Sequence, residues 1–265
     1  MRRAAATAFS SFRSGSTASA RGGRALLGTA AALVVVLLAA CDSPRSAAPV
    51  EAAAPAPTPT IAPPPEPPHA PDIVVDASSV TIGKEHVAVG ELGLSDKIAV
   101  FLKGTPGVEA TTVNVVAMRN AKPSPVAAVV SALKKAKASG AVVKCDARDG
   151  TTQTMPVSFT ASVGDCTTAA WIAKDASIDV WPAGGGTAHR VIKGLAGPDM
   201  TLGTEALRRQ WSSCGSPELV IGGDDAMTFG LVFDLARNAL EAAGTRISTT
   251  VLVTNVSPGR KVTLE

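Results

Sequence analysis

Beyond residue 72 the apolar positions follow two alternating rhythms. Short bursts of β-branched residues at Ile73 to Val75, Val80 to Ile82 and Val87 to Val89, broken by turns such as Gly83-Lys84-Glu85, predict a hairpin of strands. The run Val113 to Met118 predicts a buried strand. After it, Val126, Val129, Val130 and Leu133 recur at i, i+3, i+4 and i+7, the spacing of one helix face. Ser124-Pro125 reads as the N-cap and first turn of that helix, and Gly140 as its stop. The same order returns later: Leu219 to Ile221 as strand, Thr228 as cap, Phe229, Val232, Phe233, Ala236 and Leu240 as helix face, Gly244 as stop and Ile247 to Val253 as closing strand. A shorter helix precedes each core strand, one capped by Ser95 with Ile98, Phe101 and Leu102 inward, the other capped by Thr204 with Leu207 and Trp211 inward. Met155 to Ala161, Ala169 to Ile172, Ile178 to Trp181 and Ala188 to Ile192 are strand candidates between the copies. The expected fold class is α+β, with two tandem domains, each a small mixed sheet with two helices.

The first 72 residues read differently. Residues 1–24 are rich in Arg, Ser, Ala and Gly, and an apolar run from Ala25 to Ala40 ends abruptly at Cys41-Asp42. This is the layout of an export signal and is short for a span, which needs about 20 apolar residues. Leu38-Ala39-Ala40-Cys41 resembles the bacterial lipobox, which implies lipidation of Cys41 and cleavage before it. Between Asp42 and Asp72 lie eleven of the 19 prolines, a tether that cannot bury a core. The expected organisation is therefore a leader at 1–40, a lipidated tether at 41–72, a first domain at 73–150 and a second at 151–265.

Charge and composition narrow the function. Five of the 25 basic residues precede residue 41 and no acidic one does, so the rest carries 20 basic against 22 acidic side chains. With 3% aromatic residues and no Tyr, base stacking and electrostatic capture of nucleic acid are both unsupported. Gly184-Gly185-Gly186 lacks a following Lys-Ser/Thr and reads as a hairpin turn rather than a phosphate loop. His69, His86 and His189 have no metal-ligand spacing, no Gly-x-Ser-x-Gly elbow occurs, and adjacent Asp224 and Asp225 before a helix read as turn acids rather than a catalytic pair. Neither a cofactor, a metal nor an enzymatic activity is expected. Export makes a disulfide plausible among Cys145, Cys166 and Cys214. The pairing Cys145 with Cys166 is expected, closing a loop of about 20 residues for roughly 3 kcal/mol, with three reduced thiols as the alternative.

The stretch Leu219-Val220-Ile221-Gly222-Gly223-Asp224-Asp225-Ala226-Met227-Thr228-Phe229-Gly230, running on to Ala242-Ala243-Gly244, resembles the periplasmic domain of the ExbD/TolR family. Asp224, Phe229 and Gly230 stand where that family places its turn acid, its aromatic residue and the helix start. In the first copy Asn120 takes the acid's place and Pro125 the aromatic's, while Pro71 to Asp76 and Val80 to Lys84 look like the family's first two strands. The resemblance implies a biopolymer-transport type of cell-envelope domain that pairs as a dimer. Its partners would be ExbB/TolQ-like channel proteins or TonB/TolA-like proteins. Family members carry an intramembrane Asp, whereas no acid lies between Met1 and Ala40 here. The expectation is a lipid-anchored, periplasm-facing binding or coupling element rather than a proton-conducting subunit; the alternative is a stand-alone lipoprotein that binds peptidoglycan or protein. The two copies are expected to pack as an internal pseudo-dimer or to support a homo-oligomer, with Ile247, Thr249, Val251 and Val253 as an exposed edge strand for a partner.

Overall fold

The structure is a computed structural model that describes residues 70–213 and 215–264. The leader, Cys41, His69 and the tether lie outside the described residues. Alternating apolar residues first form a meander, β1 (Ile73–Val75), β2 (Ser79–Ile82) and β3 (Glu85–Ala88). Helix α1 (Leu94–Leu102), strand β4 (Thr112–Ala117), helix α2 (Pro123–Lys135) and strand β5 (Gly140–Asp146) follow. A hairpin return, β6 (Thr152–Val157), leads to a second set in the same order: β7 (Thr168–Ile172), β8 (Ile178–Pro182), β9 (His189–Val191), α3 (Met200–Ser212), β10 (Glu218–Gly223), α4 (Phe229–Ala243) and β11 (Thr249–Leu252).

The fold is α+β. All eleven strands join one mixed sheet in the order β3-β2-β1-β4-β5-β6-β11-β10-β7-β8-β9. Each set contributes an antiparallel meander, then two parallel neighbours reached through helical crossovers, as parallel pairing requires. The seam is β6, antiparallel to β5 over six residue pairs and parallel to β11 at Thr250 opposite Val157. Thr250, fully buried, fastens that seam by donating its hydroxyl to the Pro156 carbonyl at 2.8 Å, while its own carbonyl accepts the Ser158 N–H at 2.9 Å.

All four helices bury their apolar stripes in one cluster on a single face of this sheet. The opposite face is treated unequally. Over the second set, Trp181, Val220, Val251 and Val262 form a second cluster. The C-terminal segment straps it: Trp181 Nε1 donates to the Arg260 carbonyl at 2.9 Å and the Val262 N–H donates to the Ala183 carbonyl at 2.7 Å. Gly186, in the turn after β8, joins the strap by donating to the Gly259 carbonyl at 2.9 Å. Over the first set the corresponding side chains Thr112, Asn114 and Val116 of β4 face solvent.

Several local expectations change. Thr249 to Leu252 is an interior strand between β6 and β10, so Ile247, Thr249, Val251 and Val253 form no edge; the return of β6 fills that place, and the true edges are β3 and β9. Gly140 is the first residue of β5, and α2 instead ends at Ala136, where Lys137 adopts φ 61°. Gly93, at φ 69°, precedes α1, and Ser95 is inside it with its hydroxyl buried and without a partner. Helix α3 starts four residues before Thr204, with the Asp199 carboxylate accepting from the Leu202 N–H at 2.9 Å. Leu94 and Met200, Thr112 and Glu218, and Pro123 and Phe229 open equivalent elements 106 positions apart. That register places Met118, not Asn120, opposite Asp224, and Pro123, not Pro125, opposite Phe229.

The Cys145 to Cys166 bridge is also overturned. Cys145 is a free thiol, 1% exposed, and burial pushes its pKa up to about 11. Cys166 is disulfide-bonded elsewhere. The reason is topological: Cys145 is on β5, Cys166 just precedes β7, and the sheet places these strands four positions apart. That is about 19 Å, far beyond the reach of a disulfide. The Cys166 sulfur lies 3.9 Å from the carbonyl of Ser213, at the end of α3. Peptide mapping without reductant is accordingly expected to recover Cys166 in a disulfide-linked peptide that does not contain Cys145, and Cys145 is expected to react with iodoacetamide only after unfolding. Labelling of Cys145 in the folded protein would contradict this assignment.

Candidate functional site

The stretch with the family resemblance lies at the centre of the molecule, where the turn after β10 meets the turn after β4. A helix leaves its first backbone N–H groups without partners, and neither α2 nor α4 has a side-chain cap of its own. Each is completed by the other set. The Phe229 N–H donates to the Ala121 carbonyl at 2.7 Å and the Gly230 N–H to the Arg119 carbonyl at 3.0 Å. In return, the Asp225 carboxylate accepts the Ser124 N–H at 3.0 Å, and Lys122 donates to the Asp225 carbonyl at 3.0 Å.

An ion pair crosses the same joint. Arg119 forms a two-pronged contact with Asp234, Nη1 to Oδ1 at 2.9 Å and Nη2 to Oδ2 at 2.7 Å, and also donates to the Asp146 carbonyl at 2.7 Å. Arg148 reaches Asp234 Oδ2 at 3.1 Å. The Asp234 side chain is only 15% exposed, so the arginines replace much of its hydration. Its hydrogen bond raises the Arg119 pKa further above the usual range. Gly230 makes the passage possible, because a Cβ there would sit 3.1 Å from Arg119 Cβ, Cζ and Nε. At Gly223 a Cβ would stand 2.8 Å from Val232, and at Gly222 it would meet the Val253 carbonyl at 2.4 Å. The small residues before the turn are therefore required for close packing.

Asp224, Phe229 and Gly230 are thus brought together as a joint. Asp224 folds its own turn, accepting from the Ala226 N–H at 2.8 Å, while Phe229 is buried at 1% exposure. Asp224 and Asp225 bond to different backbone segments, Ala226 N–H and Ser124 N–H. Arg119, Arg148 and Asp234 escaped the sequence reading; the available signal was a carboxylate inside the apolar sequence of α4, one turn after Gly230.

Exposed large apolar side chains include Leu92, four residues beyond β3, Val100 and Phe101 on α1, and Ile192, Leu195 and Leu202 beside β9. A shallow groove of about 200 Å³ runs between β9 and α3, lined by Arg190, Ile192, Leu202, Glu205 and Arg209. A separate hollow of about 420 Å³ lies among Lys103, Glu109, Lys135 and Lys137 at the ends of α1 and α2. Near β9, Asp179 is 3% exposed and burial pushes its carboxyl above the ordinary range, opposed by Arg190 at 3.9 Å. Asp175 is held down to about 2 by the Ser177 hydroxyl and amide and by Arg190. His86 contacts the Thr81 hydroxyl at 3.0 Å on β2, and His189 is exposed on β9, far along the sheet from it. Among the described residues no group of three or more His, Cys, Asp or Glu side chains is placed to hold a metal ion, and no helix is long and apolar enough to cross a membrane.

A scan against protein-family models finds no match, and neither the curated proteins nor the solved structures contain one.

Removing one partner of the joint leaves a charge stranded. Asp234→Ala is expected to lower stability by about 3 kcal/mol in urea unfolding, whereas Arg119→Met with Asp234→Leu should lose less than the sum of the two single changes. For Asp179, a raised folded-state pKa means the contribution is full below the ordinary aspartate value of about 3.9 and is lost as pH rises through the raised one. Asp179→Asn is therefore expected to raise the Tm relative to the parent at pH 8 and to leave it unchanged at pH 3. A pH-independent difference would contradict the assignment.

Proposed function

We propose that this chain is a lipid-anchored cell-envelope protein built from two ExbD/TolR-like periplasmic units, acting as a binding or coupling element. The observation that carries this reading is the joint. The stretch from Leu219 to Gly230 that resembles the family is where one βαβ set caps the helix of the other and continues its sheet. A pairing that the family makes between two subunits would here be made inside one chain. The tether would hold this unit away from the membrane, and Cys41 would carry the anchor. Without a carboxylate in the leader, the chain would lack the group that gives family members their proton-linked role. What remains for it is recognition, by a double-length unit with two exposed sheet ends.

The test is crosslinking of the native protein in cells, followed by identification of what co-purifies. An ExbB/TolQ-like channel subunit is the expected product. Recovery of peptidoglycan or outer-membrane proteins without any channel subunit would replace this reading with that of a stand-alone tethered binding protein.

A further inference from the structure

We propose that this unit associates head to tail with further copies of itself, the β9 edge of one copy pairing antiparallel with the β3 edge of the next. The inference is independent of the family reading and rests on the two ends of the sheet.

Strand direction comes first. β3 runs with β1, β4 and β5, because two antiparallel steps separate it from β1. β6 is antiparallel to β5, and β11, β10 and β7 run with β6; two further antiparallel steps return β9 to that direction. β3 and β9 are therefore antiparallel. A second copy displaced along the sheet, without rotation, sets its β3 antiparallel to the first copy's β9 and keeps every helix on the same face. Such a contact leaves a free edge at each end and extends without closing.

The side chains agree with that arrangement. Val87 is the one buried residue of β3 and Val191 the one buried residue of β9, so both point to the helix face. Setting Val191 opposite Val87 places Lys193 opposite Glu85, and Ile192 opposite His86 on the other face. Around the first edge, from Lys84 to Leu92, Glu85 and Glu91 outnumber the single base Lys84, which in this register falls opposite Gly194; between His189 and Leu195 the second carries Arg190 and Lys193 but no acid. Glu91 already pairs with Lys97, and Arg190 with Asp175. Glu85 and Lys193 are exposed and have no ion-pair partner among the described residues, which leaves them free to pair across copies. A symmetric β9 to β9 contact would oppose two basic edges. Exposed Leu92 follows the first edge in sequence, and Ile192, Leu195 and Leu202 flank the second, so apolar side chains accompany the unpaired backbone at both ends.

The experiment uses the full chain with His86→Cys and Ile192→Cys, treated with a short bismaleimide, the parent serving as control. A ladder of dimer, trimer and higher species from the double variant, with no ladder from either single variant, is the expected result. Lys193→Glu in that background should reduce crosslinked product about fivefold, and adding Glu85→Lys should restore it. Dimer from a single variant would show a symmetric contact and overturn the proposal. So would a double variant no more crosslinked than the parent, or a yield indifferent to Lys193→Glu.

Discussion

The start of a helix is a debt of hydrogen bonds, and in this molecule two helices settle it with each other. Lys122 and Thr228 precede α2 and α4 without capping them, so the N–H groups of Ser124, Phe229 and Gly230 look across the joint for acceptors. Separating the two βαβ sets would expose those groups and leave Asp234 without Arg119. Within the second set, the Gly222-Gly223 backbone fits only because no Cβ stands between it and Trp171, Val232 and the Val253 carbonyl, and Gly223 also faces Pro123 of the first set. The two sets are thus one cooperative structure, and β6 adds a strand that belongs to neither repeat.

The two sets repeat the same order of elements within one sheet, yet their outer faces differ. On the second, Trp181 and its neighbours are buried by the C-terminal strap, whose bonds come from Arg260, Val262 and Gly259. On the first, β4 keeps Thr112 and Asn114 exposed, polar residues that tolerate water without a strap. The burial of the second face also accounts for Asp179: a carboxylate between β7 and β9 is desolvated there, with Arg190 at 3.9 Å as its compensation.

Helix faces and strand cores were legible because periodicity reports burial directly, with the exception of Phe101, expected inward on α1 but 43% exposed beside buried Ile98 and Leu102. Val126, Val129, Val130 and Leu133, and Phe229, Val232, Phe233, Ala236 and Leu240, are all buried as their spacing predicts. What depends on partners distant in sequence was not legible. Ile247 to Val253 is apolar enough for an edge or an interior strand, and only the return of β6 decides between them. Gly140 resembles a stop because glycine often ends helices, yet its neighbour Lys137 adopts the left-handed turn and Gly140 packs 3.4 Å, measured from an added Cβ, below the Val157 carbonyl. The disulfide failed for the same reason: sequence separation between Cys145 and Cys166 is small, but four strand spacings intervene. The turn at Asp224 to Gly230 was legible as a special place, although its role in capping another repeat required the arginine and the aspartate from elsewhere in the chain.

A joint made internally changes what the exterior must do. The chain closes this joint within itself, and among the described residues the strands left with an unpaired edge are β3 and β9, at opposite ends of the sheet. Such edges are ordinarily blunted by charge, and these are short; among the described residues neither Glu85 on β3, beside the equally unpaired Lys84 of the preceding turn, nor Lys193 just beyond β9 has an ion-pair partner. The signs are opposite. Equal signs would repel identical copies at both ends, whereas opposite signs repel only like ends and favour unlike ones. With Leu92 following β3 and Ile192, Leu195 and Leu202 beside β9, the proposed contact between copies would favour unlike ends over like ones.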